Sequence, residues 1–166
     1  MKYHNITKCD ILNGEGVRVV LWVSGCSHHC KNCQNPITWD PNDGLPFDES
    51  AKQELFDALN SPDIDGITFS GGDPLFCSNR EKVGKLICEI AQKFPQKTIW
   101  LYTGYCWDEI KDLPFIKFVD VLVDGKFEED KKDEKLLWKG SSNQKVIDVK
   151  KSLKTGNIVL HCGDYE

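Results

Sequence analysis

The sequence predicts an α/β fold: an open partial (βα) barrel with a mostly parallel sheet, built from about four to six βα units. Three observations carry that expectation. Short β-branched, apolar runs recur along the chain, stretches of helical periodicity lie between them, and Gly, Pro or Asp punctuates the joins. The units are too few to close an eightfold barrel.

Residues 17–23 are nearly continuous apolar and β-branched, as a buried parallel strand requires. Asp48 is placed to cap a helix in which Ala51, Leu55, Ala58 and Leu59 share a face, and Pro62 stops it. Residues 64–69 form a second strand that runs into Gly71-Gly72. Ser78 and Glu81 have the spacing of a capping box. Val83, Leu86, Ile87, Ile90 and Phe94 then make one apolar stripe, closed by Pro95. Residues 98–102 are a third strand, followed by a short helix over 107–113. Residues 119–123 are a fourth strand, ending at Asp124-Gly125, and 142–149 and 157–161 are weaker strand candidates.

Length and charge narrow the function classes. The chain has 166 residues and a formal charge of −5, with 40% hydrophobic and 28% charged residues. That is an ordinary mix for a single domain, taken here as residues 1–166, and it excludes disorder. The acidic balance argues against a nucleic-acid surface. No apolar run is long enough to span a membrane, and the first residues lack the pattern of an export signal. A cytoplasmic, reducing setting follows as an expectation. There the eight cysteines point to metal or redox chemistry rather than to disulfides.

Cys26, Cys30 and Cys33 form C-x₃-C-x₂-C directly after the predicted first strand. Thiolates so close in sequence can converge on an iron–sulfur cluster or on zinc. A structural zinc site wants four ligands, so His28 or His29 would have to complete a Cys₃His set. A zinc-binding interaction module is therefore the rival reading. Both histidines are expected to be exposed, because a ring between two ligating cysteines fits poorly in so tight a loop. Three thiolates on a cluster leave one iron without a protein ligand, which suits chemistry on a bound molecule. Cys88 is expected in the core, and Cys9, Cys77, Cys106 and Cys162 are given no role.

The predicted topology brings other segments to the same end. Ligands of parallel α/β folds bind at the carboxyl ends of the strands. Ser24-Gly25-Cys26, Ser70-Gly71-Gly72-Asp73 and Asp124-Gly125-Lys126 all lie there. Glycines let a backbone approach a ligand, and strand-end carbonyls can accept hydrogen bonds from an ammonium group.

C-x₃-C-x₂-C followed by a Gly-Gly-acid segment resembles the radical S-adenosylmethionine enzymes. Within them, Asn13-Gly14-Glu15-Gly16, Trp22-Val23-Ser24-Gly25-Cys26, Trp100-Leu101-Tyr102-Thr103-Gly104-Tyr105, Val121-Leu122-Val123-Asp124-Gly125-Lys126-Phe127 and Trp138-Lys139-Gly140-Ser141-Ser142-Asn143-Gln144 are similar to the activating proteins of anaerobic ribonucleoside-triphosphate reductase. The likeness runs over residues 3–149. It implies a [4Fe-4S] cluster on Cys26, Cys30 and Cys33 and bound S-adenosyl-L-methionine. It also implies a glycyl radical installed on the reductase and an electron from a low-potential donor such as reduced flavodoxin. An activase of another glycyl-radical enzyme, of formate-lyase type, is the alternative.

By the same resemblance the backbone of Asn32, Cys33 and Gln34 and that of Gly71, Gly72 and Asp73 hold the cofactor. Asp124 and Lys126 meet its charged ends or a monovalent cation, or else are a turn carboxylate and a solvated lysine. The superfamily carries an aromatic residue where this chain has Gln34, so an amide replaces a ring face beside the adenine. Gly72→Val is expected to spare the cluster and weaken the cofactor, with a positive φ at Gly72. The charged run 126–135 reads as a solvated face or a docking surface. Tryptophans 22, 39, 100, 107 and 138 read as core or interface, and the tail 150–166 is unassigned.

Overall fold

The computed structural model describes residues 1–161. Seven strands form one open sheet: β1 (Lys2–Asp10), β2 (Arg18–Val23), β3 (Leu45–Pro46), β4 (Gly66–Gly71), β5 (Thr98–Tyr102), β6 (Val121–Asp124) and β7 (Lys145–Asp148). Their order is β3-β1-β2-β4-β5-β6-β7, with β3 and β7 at the edges. The central strands β2, β4, β5 and β6 run parallel, while β1 and β7 pair antiparallel at either side. Helices α1 (Glu49–Leu59), α2 (Arg80–Lys93) and α3 (Trp107–Ile110) make the three crossovers, and α4 (Val149–Thr155) follows β7. Those four strand–helix pairs sit at the low end of the expected range.

The expected central strands and long helices are present, and the departures have physical causes. β1 was not anticipated because its register shifts between Tyr3 and Asn5 and again beyond Thr7. A bulge breaks the period of two on which strand patterns depend; here Tyr3 and Ile6 are buried, three residues apart. Residues 157–161 contribute only an isolated bridge, Leu160 to Ile147, laid along the outer side of β7. Ser78 does not cap α2. The N-cap is Asn79, and its side chain makes no capping bond. Its amide donates instead to the carbonyls of Ser24 and Asp73. Asp48 caps α1 as expected, accepting from the Ala51 N–H at 3.0 Å.

The two sheet faces have different partners. Val19, Leu21, Val23, Ile67, Phe69, Ile99, Leu101 and Leu122 point to one face and pack under the helices, including Leu55, Leu59, Val83, Ile87 and Ile90. Helices cover that face alone. The alternate positions form the opposite face, where register aligns Arg18 with Gly66, Val20 with Thr68, Trp22 with Ser70 and Tyr102 with Val123. This second face is polar at its centre and carries only a small cluster of Trp100, Val121, Val123 and Val146.

Arg18 stands inside that face with no exposed surface. Its guanidinium donates to the Thr68 and Thr98 hydroxyls and to the carbonyls of Glu15, Ile67 and Thr98. Burial pushes its pKa down to about 10, still well above neutral pH. Alanine here would strip donors from buried carbonyls and leave a void. Arg18→Ala is expected to cost about 3 kcal/mol, lowering Tm by roughly 6–12 °C in a chain this size. Thermal unfolding measures it, and an unchanged Tm would show the network to be dispensable.

Candidate iron–sulfur and cofactor site

The carboxyl ends of the parallel strands open into a cavity of about 720 Å³ on the helix-free face. Its walls include Cys26, Cys30 and Cys33, then Ser70 to Asp73, then Gly125 and Lys126. The three segments singled out in the sequence therefore meet. Gln34 lines the same space, with Trp22, Tyr102 and Trp138 as aromatic walls. Burial raises the Tyr102 phenol above its ordinary range, so it is a neutral wall at physiological pH.

The cysteine loop is held by backbone bonds. Gly25 and Cys26 donate to the carbonyls of Thr38 and Trp39, at 2.7 and 3.0 Å. Gly72 donates to Val23 and Asp73 to Gly25, both at 2.8 Å, which staples the Gly-Gly segment to the start of the loop. The positive φ lies at Gly71 (107°), not at Gly72. A Cβ on Gly71 would stand 2.5 Å from the Val23 backbone, so only glycine fits. A Cβ on Gly72 would meet the carbonyl oxygens of Gly25 and Thr38 at 2.5 and 2.7 Å. Gly72 thus packs against the cysteine loop, so Gly72→Val is expected to disturb the cluster as well as the cofactor.

The sulfurs lie among backbone donors. The His28 and Asn35 N–H groups point at the Cys26 and Cys33 sulfurs, each at 3.4 Å. Burial raises the Cys26 and Cys30 thiols above their ordinary range; nearby backbone N–H groups, from His28 and Phe127 respectively, work against that. Such donors stabilise thiolates and tune clusters bound to them. Among the described residues, no three Cys, His, Asp or Glu side chains converge as tightly as a single metal ion demands.

His28 corrects the sequence reading. Its side chain is nearly buried, with Nε2 2.7 Å from an Asp73 carboxylate oxygen. His29 is exposed as expected, its ring stacked on Trp39 at 4.7 Å. No sequence signal separates the two, because the partner of His28 lies 45 residues away.

The other candidates divide. Lys126 is exposed on the cavity wall. Asp124 is buried and lies behind that wall: its carboxylate accepts the N–H of Trp107 at 2.8 Å and that of Lys145 at 3.2 Å. Burial raises its pKa above the usual carboxylate value. Asn32 takes a left-handed backbone (φ 54°) and turns its amide to Glu129. Glu129 also pairs with Lys31 at 2.8 Å, so the charged run 126–135 straps the cysteine loop from outside. Asn143 and Gln144, to which the sequence assigns no role, donate to the carbonyls of Lys126 and Gly125 and frame that strap.

Cys9, Cys77 and Cys106 are exposed and lie off the cavity; Cys88 is partly buried against the core, and Cys162 falls outside the described residues. Trp100 and Trp107 are buried. Among the described residues no helix is long and apolar enough to cross a membrane.

Comparison with known proteins supplies the family. The family model of a 4Fe-4S single cluster domain matches residues 12–147. The anaerobic ribonucleoside-triphosphate reductase-activating protein of Enterobacteria phage T4 is 44% identical over 146 residues, covering 88% of this chain and 93% of its own. The protein of the same name from Escherichia coli K12 is 44% identical over 150 residues, covering 88% and 97%. That from Vibrio cholerae is 38% identical over the same shares. With an iron–sulfur family model over most of its length and relatives matched nearly end to end, the chain belongs to the family of anaerobic ribonucleoside-triphosphate reductase-activating proteins.

Proposed function

We propose that this chain is a radical S-adenosylmethionine activase, acting as a single cytoplasmic domain, that installs a glycyl radical on anaerobic ribonucleoside-triphosphate reductase. One observation carries the reading: C-x₃-C-x₂-C and Ser-Gly-Gly-Asp line one cavity at the carboxyl ends of parallel strands. Held there, a three-thiolate [4Fe-4S] cluster with S-adenosylmethionine would supply one-electron radical chemistry directed at a glycine Cα of the reductase. The residues of this chain bind, orient and exclude water.

Cys26, Cys30 and Cys33 would be the three ligands. Asn32 to Gln34 would hold the cofactor from the cluster side, with the Gln34 amide offering hydrogen bonds to the base or ribose. At the Gly71-Gly72 strand end, backbone carbonyls would receive the ammonium. Lys126, on the rim, suits a carboxylate. Asp124 would act indirectly, anchoring Trp107 and Lys145 behind the wall. The open sheet leaves one side of the site uncovered. A reactive carbon radical needs that side closed, and a glycine-bearing loop of the reductase would close it. Electrons would come from a low-potential donor such as reduced flavodoxin.

The test mixes reduced protein, S-adenosylmethionine and purified reductase without oxygen. A glycyl-radical doublet on the reductase in electron paramagnetic resonance, stoichiometric with 5′-deoxyadenosine, is the expected result. A doublet only on a formate-lyase-type enzyme would reassign the partner. Colourless protein carrying one zinc would overturn the reading.

A further inference from the structure

Asp73 is the acid of the Gly-Gly-acid segment, yet its carboxylate is already engaged. It is 1% exposed. One oxygen accepts the Leu75 N–H at 2.8 Å and the Thr103 hydroxyl at 2.9 Å. The other accepts the Gly104 N–H at 3.0 Å and faces His28 Nε2 at 2.7 Å. A carboxylate has about four acceptor sites, and four donor groups take them here. A carboxylate only accepts, so Nε2 carries the hydrogen. A ligand's ammonium therefore has no vacant site on Asp73.

These donors come from separate parts of the chain. His28 sits between Cys26 and Cys30, Leu75 follows β4, and Thr103 and Gly104 follow β5. The His28 ring has little room to move. It meets Tyr105 edge-on at 4.8 Å, and a Cβ on Gly104 would stand 2.3 Å from it. Asp73 also donates its own N–H to Gly25. The cysteine loop is thus tied to the strand ends twice, by the Asp73 backbone and by its carboxylate through His28.

We infer that His28 is a positioning residue: through Asp73 it sets where the cysteine loop stands relative to the Gly71-Gly72 strand end, and so the fit of a molecule spanning the two. The inference rests on the proposed function, because it names S-adenosylmethionine as that molecule. His28 also lines the cavity, but its Nε2 is taken by Asp73, so it would act through that contact and not as a metal ligand. The three thiols are supplied without it, so iron uptake is independent of its side chain. The span between thiols and strand end is not.

Two variants separate donor from bulk. His28→Leu fills the space without a donor, and His28→Gln restores an N–H able to reach Asp73. Each reconstituted protein is assayed for iron and sulfide, for S-adenosylmethionine affinity, and for the change that this molecule induces in the resonance spectrum of the reduced cluster. His28→Leu is expected to keep its iron, bind S-adenosylmethionine about tenfold more weakly (about 1.4 kcal/mol), and lose the induced change. His28→Gln is expected to recover most of both. Wild-type affinity and spectral response in His28→Leu would overturn the inference, as would a Gln variant no better than Leu. Should His28→Leu precipitate, His28→Phe is read the same way. If the wild-type protein itself fails to bind S-adenosylmethionine, the functional reading falls instead.

Discussion

Cys30→Ala is expected to abolish bound iron and, with it, cleavage of S-adenosylmethionine. The residue stands in the middle of the loop, between Cys26 at the end of the β2 connection and Cys33, whose N–H donates to the Cys30 carbonyl at 3.1 Å. Under the proposed ligation, two thiolates would remain where the cluster needs three. Among the described residues no neighbour is placed to substitute: Cys9, Cys77 and Cys106 lie off the cavity, and the buried nitrogen of His28 is engaged by Asp73. Removing this half-buried loop thiol should cost little folding energy, because the backbone bonds of Gly25 and Cys26 to Thr38 and Trp39 remain. The variant should therefore stay folded and colourless. Iron and sulfide analysis beside a thermal melt decides it, and full iron occupancy would show that another cysteine serves as a ligand.

Gly72→Val should be nearly as severe, by a different route. The residue contacts protein, with the Gly25 and Thr38 carbonyl oxygens both inside 3 Å of where a Cβ would stand. Neither is the far end of a flexible side chain. Gly25 is hydrogen-bonded to Thr38, and Asp73 to Gly25, so relief means moving the loop that carries Cys26. Overpacking of this kind costs about 1–3 kcal/mol or more. Iron content and S-adenosylmethionine affinity should fall together, by at least tenfold for the affinity. A variant with normal iron and weakened cofactor alone would restore the view that Gly72 faces the ligand.

The cysteine motif, the Gly-Gly-Asp segment and the parallel strands before them were legible in the sequence. Each depends on local chemistry: thiol spacing, glycine's missing side chain, and β-branched runs. Their meeting in one cavity followed from the rule that parallel strands present their carboxyl ends together, and the lining of that cavity agrees. Contacts between residues far apart in the chain were beyond the sequence. His28 looked like a loop histidine because its partner lies 45 residues away. Ser78 looked like the cap of α2, but the N-cap is Asn79, whose amide is spent on Ser24 and Asp73. Asp124 stood level between ligand and turn until burial behind Trp107 and Lys145 decided its surroundings. β1 was hidden by its bulge, and Gly72 differed from Gly71 only through what packs against each. Patterns in a sequence report what a segment can do alone; hydrogen bonds closed over tens of residues depend on the fold that brings the partners together.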